Sequence, residues 1–145
     1  MSTFIYPIEI TPDEGGGFVV VFPDFPEAIT QGETLQGCLA EAADCLEEAV
    51  AGRMDDGEEI PNPSPVGRHA VNLPIRTALK ASLHMALREK GISCGVLAEK
   101  LRIRKNRLRQ ILDSRHETRV ETLEGALLSL GKTVTVSVFP GRQSA

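Results

Sequence analysis

Three prolines at alternate positions, Pro61, Pro63 and Pro65, constrain this chain more than any other feature. Each fixes φ and removes a backbone donor, so neither a helix nor a central strand can run through 60–65. Regular structure must be built on either side. Before the prolines come short apolar runs broken by glycines, then one long amphipathic pattern; after them the patterns are mostly helical. Two units are therefore expected, over 1–67 and 68–145, joined by a proline-rich linker. A fourth strand at 69–73, returning to the first unit, is the reading that would blur this boundary.

Charge divides at the same place. Residues 1–67 hold 14 acids against a single cation, Arg53, for a net −13, whereas 68–145 hold 15 cations against six acids, for a net +9. Such asymmetry suits an acidic half that meets a protein and a basic half that meets nucleic acid, or two halves that attract each other. Cys38, Cys45 and Cys94 make no CxxC pattern, and their odd number points to a reducing compartment. No apolar run approaches the ~20 residues of a membrane span, and the opening MSTFIYPIEI has no signal-peptide pattern. A cytoplasmic protein without membrane association is expected.

In the first unit, 3–10 and 18–22 read as strands around a glycine turn, and 28–32 as a short third strand after a proline bend. Thr34 is placed to cap a helix in which Leu35, Cys38, Leu39, Ala42, Cys45, Leu46, Ala49 and Val50 step by three and four residues, ending near Gly52. This gives an antiparallel sheet with one packed helix, which at about 60 residues is marginal alone.

The second unit opens with a helix over 76–90, ended by Gly91. Residues 92–113 then read as two short helices around a tight turn. Ser93 caps the first, with Val96, Leu97 and Leu101 at helical spacing. The second begins near Arg104 and carries Leu108, Ile111 and Leu112 on one face; the other presents Arg104, Lys105, Asn106, Arg107, Arg109 and Gln110. A basic face is ordinarily just a solvated one. Here the cations fall on the second helix beside two amides able to pair with adenine, which favours a helix-turn-helix that reads the DNA major groove. Lys105, Asn106 and Gln110, then Arg109, are expected at base edges, and Arg104, Arg107 and Arg115 at phosphates. Thr118 and Glu121 form a capping-box pattern ahead of a last helix burying Leu123, Leu127, Leu128 and Leu130. Finally 132–139 alternates as a strand, with Val134, Val136 and Val138 on one face. A lone strand has two open edges, so pairing with a second copy is expected, with pairing to 69–73 as the competing reading. The fold class is α+β: a sheet-and-helix unit, then an all-α unit ending in a strand.

The stretch FPDFPEAITQGETLQGCLAEAADCLEEAV and the tail LAEKL … ILDSRHETRVETLEGALLSLGK resemble HicB-type antitoxins with a C-terminal helix-turn-helix. Together they span nearly all of the chain. The resemblance implies a partial RNase H-like first unit that binds a small mRNA-cleaving toxin, HicA, and a second unit that binds the operator of its own operon. It makes Phe22, Asp24 and Phe25 the candidate toxin contacts. The lone strand 132–139 makes a homodimer through the C-terminal unit the expected assembly, and dimers through each unit would build a tetramer. Three positions depart from the family pattern: Arg102 stands at the turn where glycine is common, Cys94 where a phosphate-contacting glutamine is common, and Glu27 where the proline stretch often has glycine. Either Arg102 holds a positive φ at a cost of about 1 kcal/mol, or the turn is built differently.

No catalytic, metal or cofactor residue is expected. The strand 18–22 carries no acid, Glu9, Asp13, Glu14, Asp24 and Glu48 sit where turns and solvated faces put them, and His69, His84 and His116 are scattered. The alternative function is a free-standing transcription regulator whose first unit senses a ligand or protein.

Overall fold

The computed structural model describes residues 2–140. Strands β1 (Ile5–Pro12), β2 (Phe18–Phe22) and β3 (Phe25–Gly32) are followed by helix α1 (Leu35–Asp55), strand β4 (His69–Asn72), and helices α2 (Ile75–Lys90), α3 (Cys94–Leu101), α4 (Lys105–Leu112) and α5 (Val120–Ser129). The strands form one antiparallel sheet in the order β3-β2-β1-β4. The class is α+β. The returning strand is present: β4 pairs with β1 through Tyr6–Val71 and Pro7–Ala70, so the sheet extends past residue 67.

Alternation decides which face of the sheet is covered. Tyr6, Ile8, Val20, Phe22, Ala28 and Val71 point to one side and are buried against Cys38, Ala42, Leu46 and Val50 of α1. Thr34 caps α1 by accepting from Gly37 N at 3.0 Å. A Cβ on Gly32 would lie 2.8 Å from Cys38 N and 2.9 Å from Cys38 Sγ, so only glycine lets β3 turn this tightly into α1.

The proline segment pairs with no strand, as its missing donors require, yet it is not a free linker. Ile60 is buried in the sheet core, Tyr6 donates its hydroxyl to Pro61 O at 2.7 Å, and Ser64 donates from both N and Oγ to the Asp24 carboxylate. Burial, with Asp24 nearby, pushes the Tyr6 hydroxyl up to about 12.

A second core collects Leu79, Leu83, Ala86 and Leu87 of α2, Leu97 and Ala98, Leu108 and Ile111, and Leu123, Ala126 and Leu127. Helix α2 belongs to both cores. Its Ala81, with Ala78 and Met85 beside it, packs on the sheet side, while Leu79 and Leu83 face the other helices.

Three expectations in this region are corrected. Val96 and Leu128 are 51% and 61% exposed, and Ala126 takes the place expected of Leu128. The capping box does not form: Arg119 is the N-cap of α5, and the buried Thr118 meets His116 Nδ1 at 3.1 Å. Thr118 lies one residue too early to reach the first amides of α5. No strand forms over 132–140 in the single chain. Val134 packs on the second core, and 136–139 lies beside β4 across a cleft of about 460 Å³, but no ladder joins them. A strand exists only through its backbone partner, and beyond Lys132, whose N donates to Leu127 O, this segment has none among the described residues.

Arg102 ends α3 with φ 57°, and it is the non-glycine residue with positive φ among those described. This conformation costs an L-residue about 1 kcal/mol. Arg102→Gly is therefore expected to raise stability by about 1 kcal/mol in thermal melts, while Arg102→Ala, which keeps the Cβ, does not.

Candidate functional site

Helix α4 is only two turns long, and such a helix is stable only through its packing. Leu108 and Ile111 are buried and Leu112 is half-buried, which turns the opposite face outward. Arg104, Lys105, Asn106, Arg107, Arg109 and Gln110 are all exposed on it. The structure thus brings these six expected residues together. Arg107 reaches Gln110 Oε1 at 3.4 Å and Arg109 reaches Asn106 Oδ1 at 3.5 Å, long contacts that a better partner would replace. The helix carries no acid, and among the described residues no carboxylate forms an ion pair with its cations. Ser93 caps the preceding α3 by accepting from Val96 N at 3.2 Å.

Arg115 is placed differently. Its Nη1 donates to Asp55 Oδ2 at 3.0 Å, tying the loop after α4 to the C-terminal end of α1, and Asp113 lies at 3.8 Å. The Asp55 carboxylate holds this guanidinium above its ordinary range. Arg115 is thus already partnered by the acidic unit, unlike the cations on α4. Nearby, Arg88 donates to Gly57 O and His84 Nε2 meets Glu58 O at 2.8 Å. These contacts seat the end of α1 on α2 beside a cleft of about 710 Å³ that also touches Arg109 and Leu112.

Sequence reasoning missed Lys80. It is 0% exposed, and its Nζ donates to Asp113 O, the C-cap of α4, and to His116 O at 2.6 Å. Burial lowers its pKa from the ordinary lysine range, and nearby Asp113 partly opposes this. A lysine flanked by Leu79 and Ala81 in a helical pattern looks like a surface cation. Nothing local marks it as buried, because its partners are backbone carbonyls 33 and 36 residues away.

The toxin-contact expectation needs correcting at two of its three positions. Phe22 is 2% and Phe25 0% exposed, and the Phe25 ring stacks edge-on to Tyr6 at 5.0 Å and to Phe22 at 6.5 Å. They are core residues and offer no surface to a partner. Asp24 is partly buried and already accepts from Ser64.

Arg53 covers Phe25 at 4.8 Å and forms a fork-to-fork pair with Glu27, at 2.6 and 2.9 Å. The Arg53 hydrogen bonds hold the Glu27 carboxyl below the ordinary carboxylate range. Its stabilising contribution is present above the ordinary glutamate pKa and is lost as pH falls through the lowered one. Because Glu27 is 46% exposed, screening keeps the effect under about 1 kcal/mol. Denaturant titrations of wild type and Glu27→Gln should therefore differ above the ordinary glutamate pKa and converge as pH falls through the lowered one.

Among the described residues, no group of three or more His, Cys, Asp or Glu side chains is placed to hold a metal ion. No helix among them is long and apolar enough to cross a membrane.

Residues 5–82 match the model of the HicB-like antitoxin family of bacterial toxin–antitoxin systems. The match runs through the whole sheet, α1 and half of α2. The chain belongs to the HicB antitoxin family. It is 35% identical to antitoxin HicB 1 of Photorhabdus laumondii over 133 residues, covering 92% of this chain and 86% of that one. It is 33% identical to antitoxin HicB of Escherichia coli K12, over 90% and 96% of the two chains. A similarity of 30% extends to antitoxin HicB of Pseudomonas fluorescens, over 93% and 94%. As a HicB family member, the chain is an antitoxin of a toxin–antitoxin pair, which suggests a regulatory rather than an enzymatic role.

Proposed function

We propose that this HicB antitoxin occludes a small HicA-like ribonuclease toxin with its acidic unit and represses its own operon through α3 and α4. The observation that carries the DNA half is the exposed face of α4: three cations and two amides, without an acid, on a helix whose apolar side is buried. The tight left-handed turn at Arg102 supports a helix-turn-helix reading. The toxin half rests on family membership and on the net −13 of residues 1–67, suited to a cationic RNA-binding partner. The functional division follows 1–67 and 68–145, with β4 and α2 as the physical join. The setting is the cytoplasm, where both mRNA and operator are found.

Operator binding in this reading uses a dimer through the C-terminal unit. Val120, Leu128, Val136, Val138 and Phe139 are exposed on α5 and the segment after it, and 133–139 has no backbone partner among the described residues. A second copy supplies both needs at once.

Base contacts are assigned to Lys105, Asn106, Gln110 and Arg109, and phosphate contacts to Arg104 and Arg107. Arg115 joins them only by leaving Asp55. Fluorescence anisotropy on the duplex upstream of the chain's own gene and on a scrambled duplex tests the assignment. Asn106→Ala is expected to lower specific affinity by ~10-fold and leave scrambled binding alone, whereas Arg107→Ala weakens both alike. Equal losses on both duplexes for both variants would overturn it. Co-elution of the full chain with the product of the small adjacent gene tests the toxin half.

A further inference from the structure

We propose that Lys80 is the positioning residue for α4, so that sequence discrimination by the exposed face depends on a side chain that never touches DNA. This rests on the DNA-binding reading above. Lys80 is the fully buried cation among the described residues. Burying an ammonium group is costly unless strong acceptors meet it, and no carboxylate does so here. Its acceptors are Asp113 O and His116 O, so the ammonium sits at the carbonyl end of α4, where the helix dipole is negative.

The direction of this contact matters. Leu108 and Ile111 seat α4 on the second core, but apolar contacts alone let a two-turn helix roll or slide. Two hydrogen bonds from one nitrogen to carbonyls on either side of the 113–116 loop fix both the end of the helix and the turn that follows. The other end of the lysine stem belongs to α2, the helix shared by both cores. The reading face is thereby referenced to the sheet unit as well as to the helical unit. Base pairing demands placement of this kind, because bidentate contacts tolerate little displacement, whereas phosphate contacts tolerate more.

The test compares wild type, K80M and K80R as full-length proteins. Anisotropy is measured on the upstream duplex and on a scrambled duplex, and amide hydrogen exchange is followed in α4 and α5. For K80M, affinity for the upstream duplex should fall by about 30-fold while scrambled binding stays within about 3-fold, the size of one or two lost base contacts. Exchange should quicken in α4 relative to α5. K80R, with a wider head group, should lose specific affinity by about 10-fold, and it carries the test if K80M does not fold. A K80M protein that keeps the wild-type ratio of upstream to scrambled affinity overturns the proposal and leaves the DNA reading standing. A wild-type protein with no preference between the duplexes overturns the DNA reading, and this proposal with it.

Discussion

Binding to the upstream duplex is expected to weaken by about 10⁴-fold when monovalent salt is raised from about 50 to about 200 mM. Arg102, Arg104, Lys105, Arg107 and Arg109 lie within eight residues, all exposed and none in an ion pair with a described carboxylate. About four phosphates per copy, or about eight per dimer, give a log–log salt slope near −7. Arg115 stands outside this count: if its bond to Asp55 opens on DNA, the slope steepens by about two per dimer. Titrations at four or five salt concentrations measure the slope directly. A slope near zero would mean that the exposed cations of α4 do not meet phosphate, and the DNA reading would fail.

The second large effect lies in the other unit. Phe25→Ala is expected to cost about 4 kcal/mol, a large part of the 5–15 kcal/mol that holds an ordinary domain folded. Phe25 is fully buried, edge-on to Tyr6 and Phe22, under the Arg53 guanidinium. Its removal leaves a cavity, takes the ring from Arg53, and loosens the seat of Tyr6, whose hydroxyl holds the proline segment. Urea denaturation should show the midpoint falling sharply, with any loss of toxin co-elution following unfolding. If Phe25→Ala kept wild-type stability and lost only toxin binding, the ring would act as a contact residue and not as a core one. Phe25→Leu, which refills most of the volume, should recover much of the loss.

These two effects fall on residues that the sequence describes with unequal success. The α4 face was legible because both of its signals are local. The spacing of Leu108, Ile111 and Leu112 fixes which side is buried, and the remaining residues are then exposed by default. The same logic found the caps at Thr34, Ser93 and Gly91 and named the positive φ of Arg102 as one of two readings of its turn. Phe22 and Phe25 were misjudged because they flank a proline bend, where alternation stops. The β2–β3 register shifts between Val21 and Phe22, which brings Phe25 opposite Phe22 and into the core.

Local chemistry, then, determined the helices, most of the strands, the charge division and the candidate reading face, since each depends on residues a few positions apart. Tertiary structure alone decided three further things. It made α2 a member of both cores, docked the proline segment through Tyr6 and Ser64, and buried Lys80 at the end of α4. Each depends on a partner more than 30 residues away, and several of those partners are backbone carbonyls. Every residue carries a carbonyl, so no residue type in the sequence marks the one that will be met.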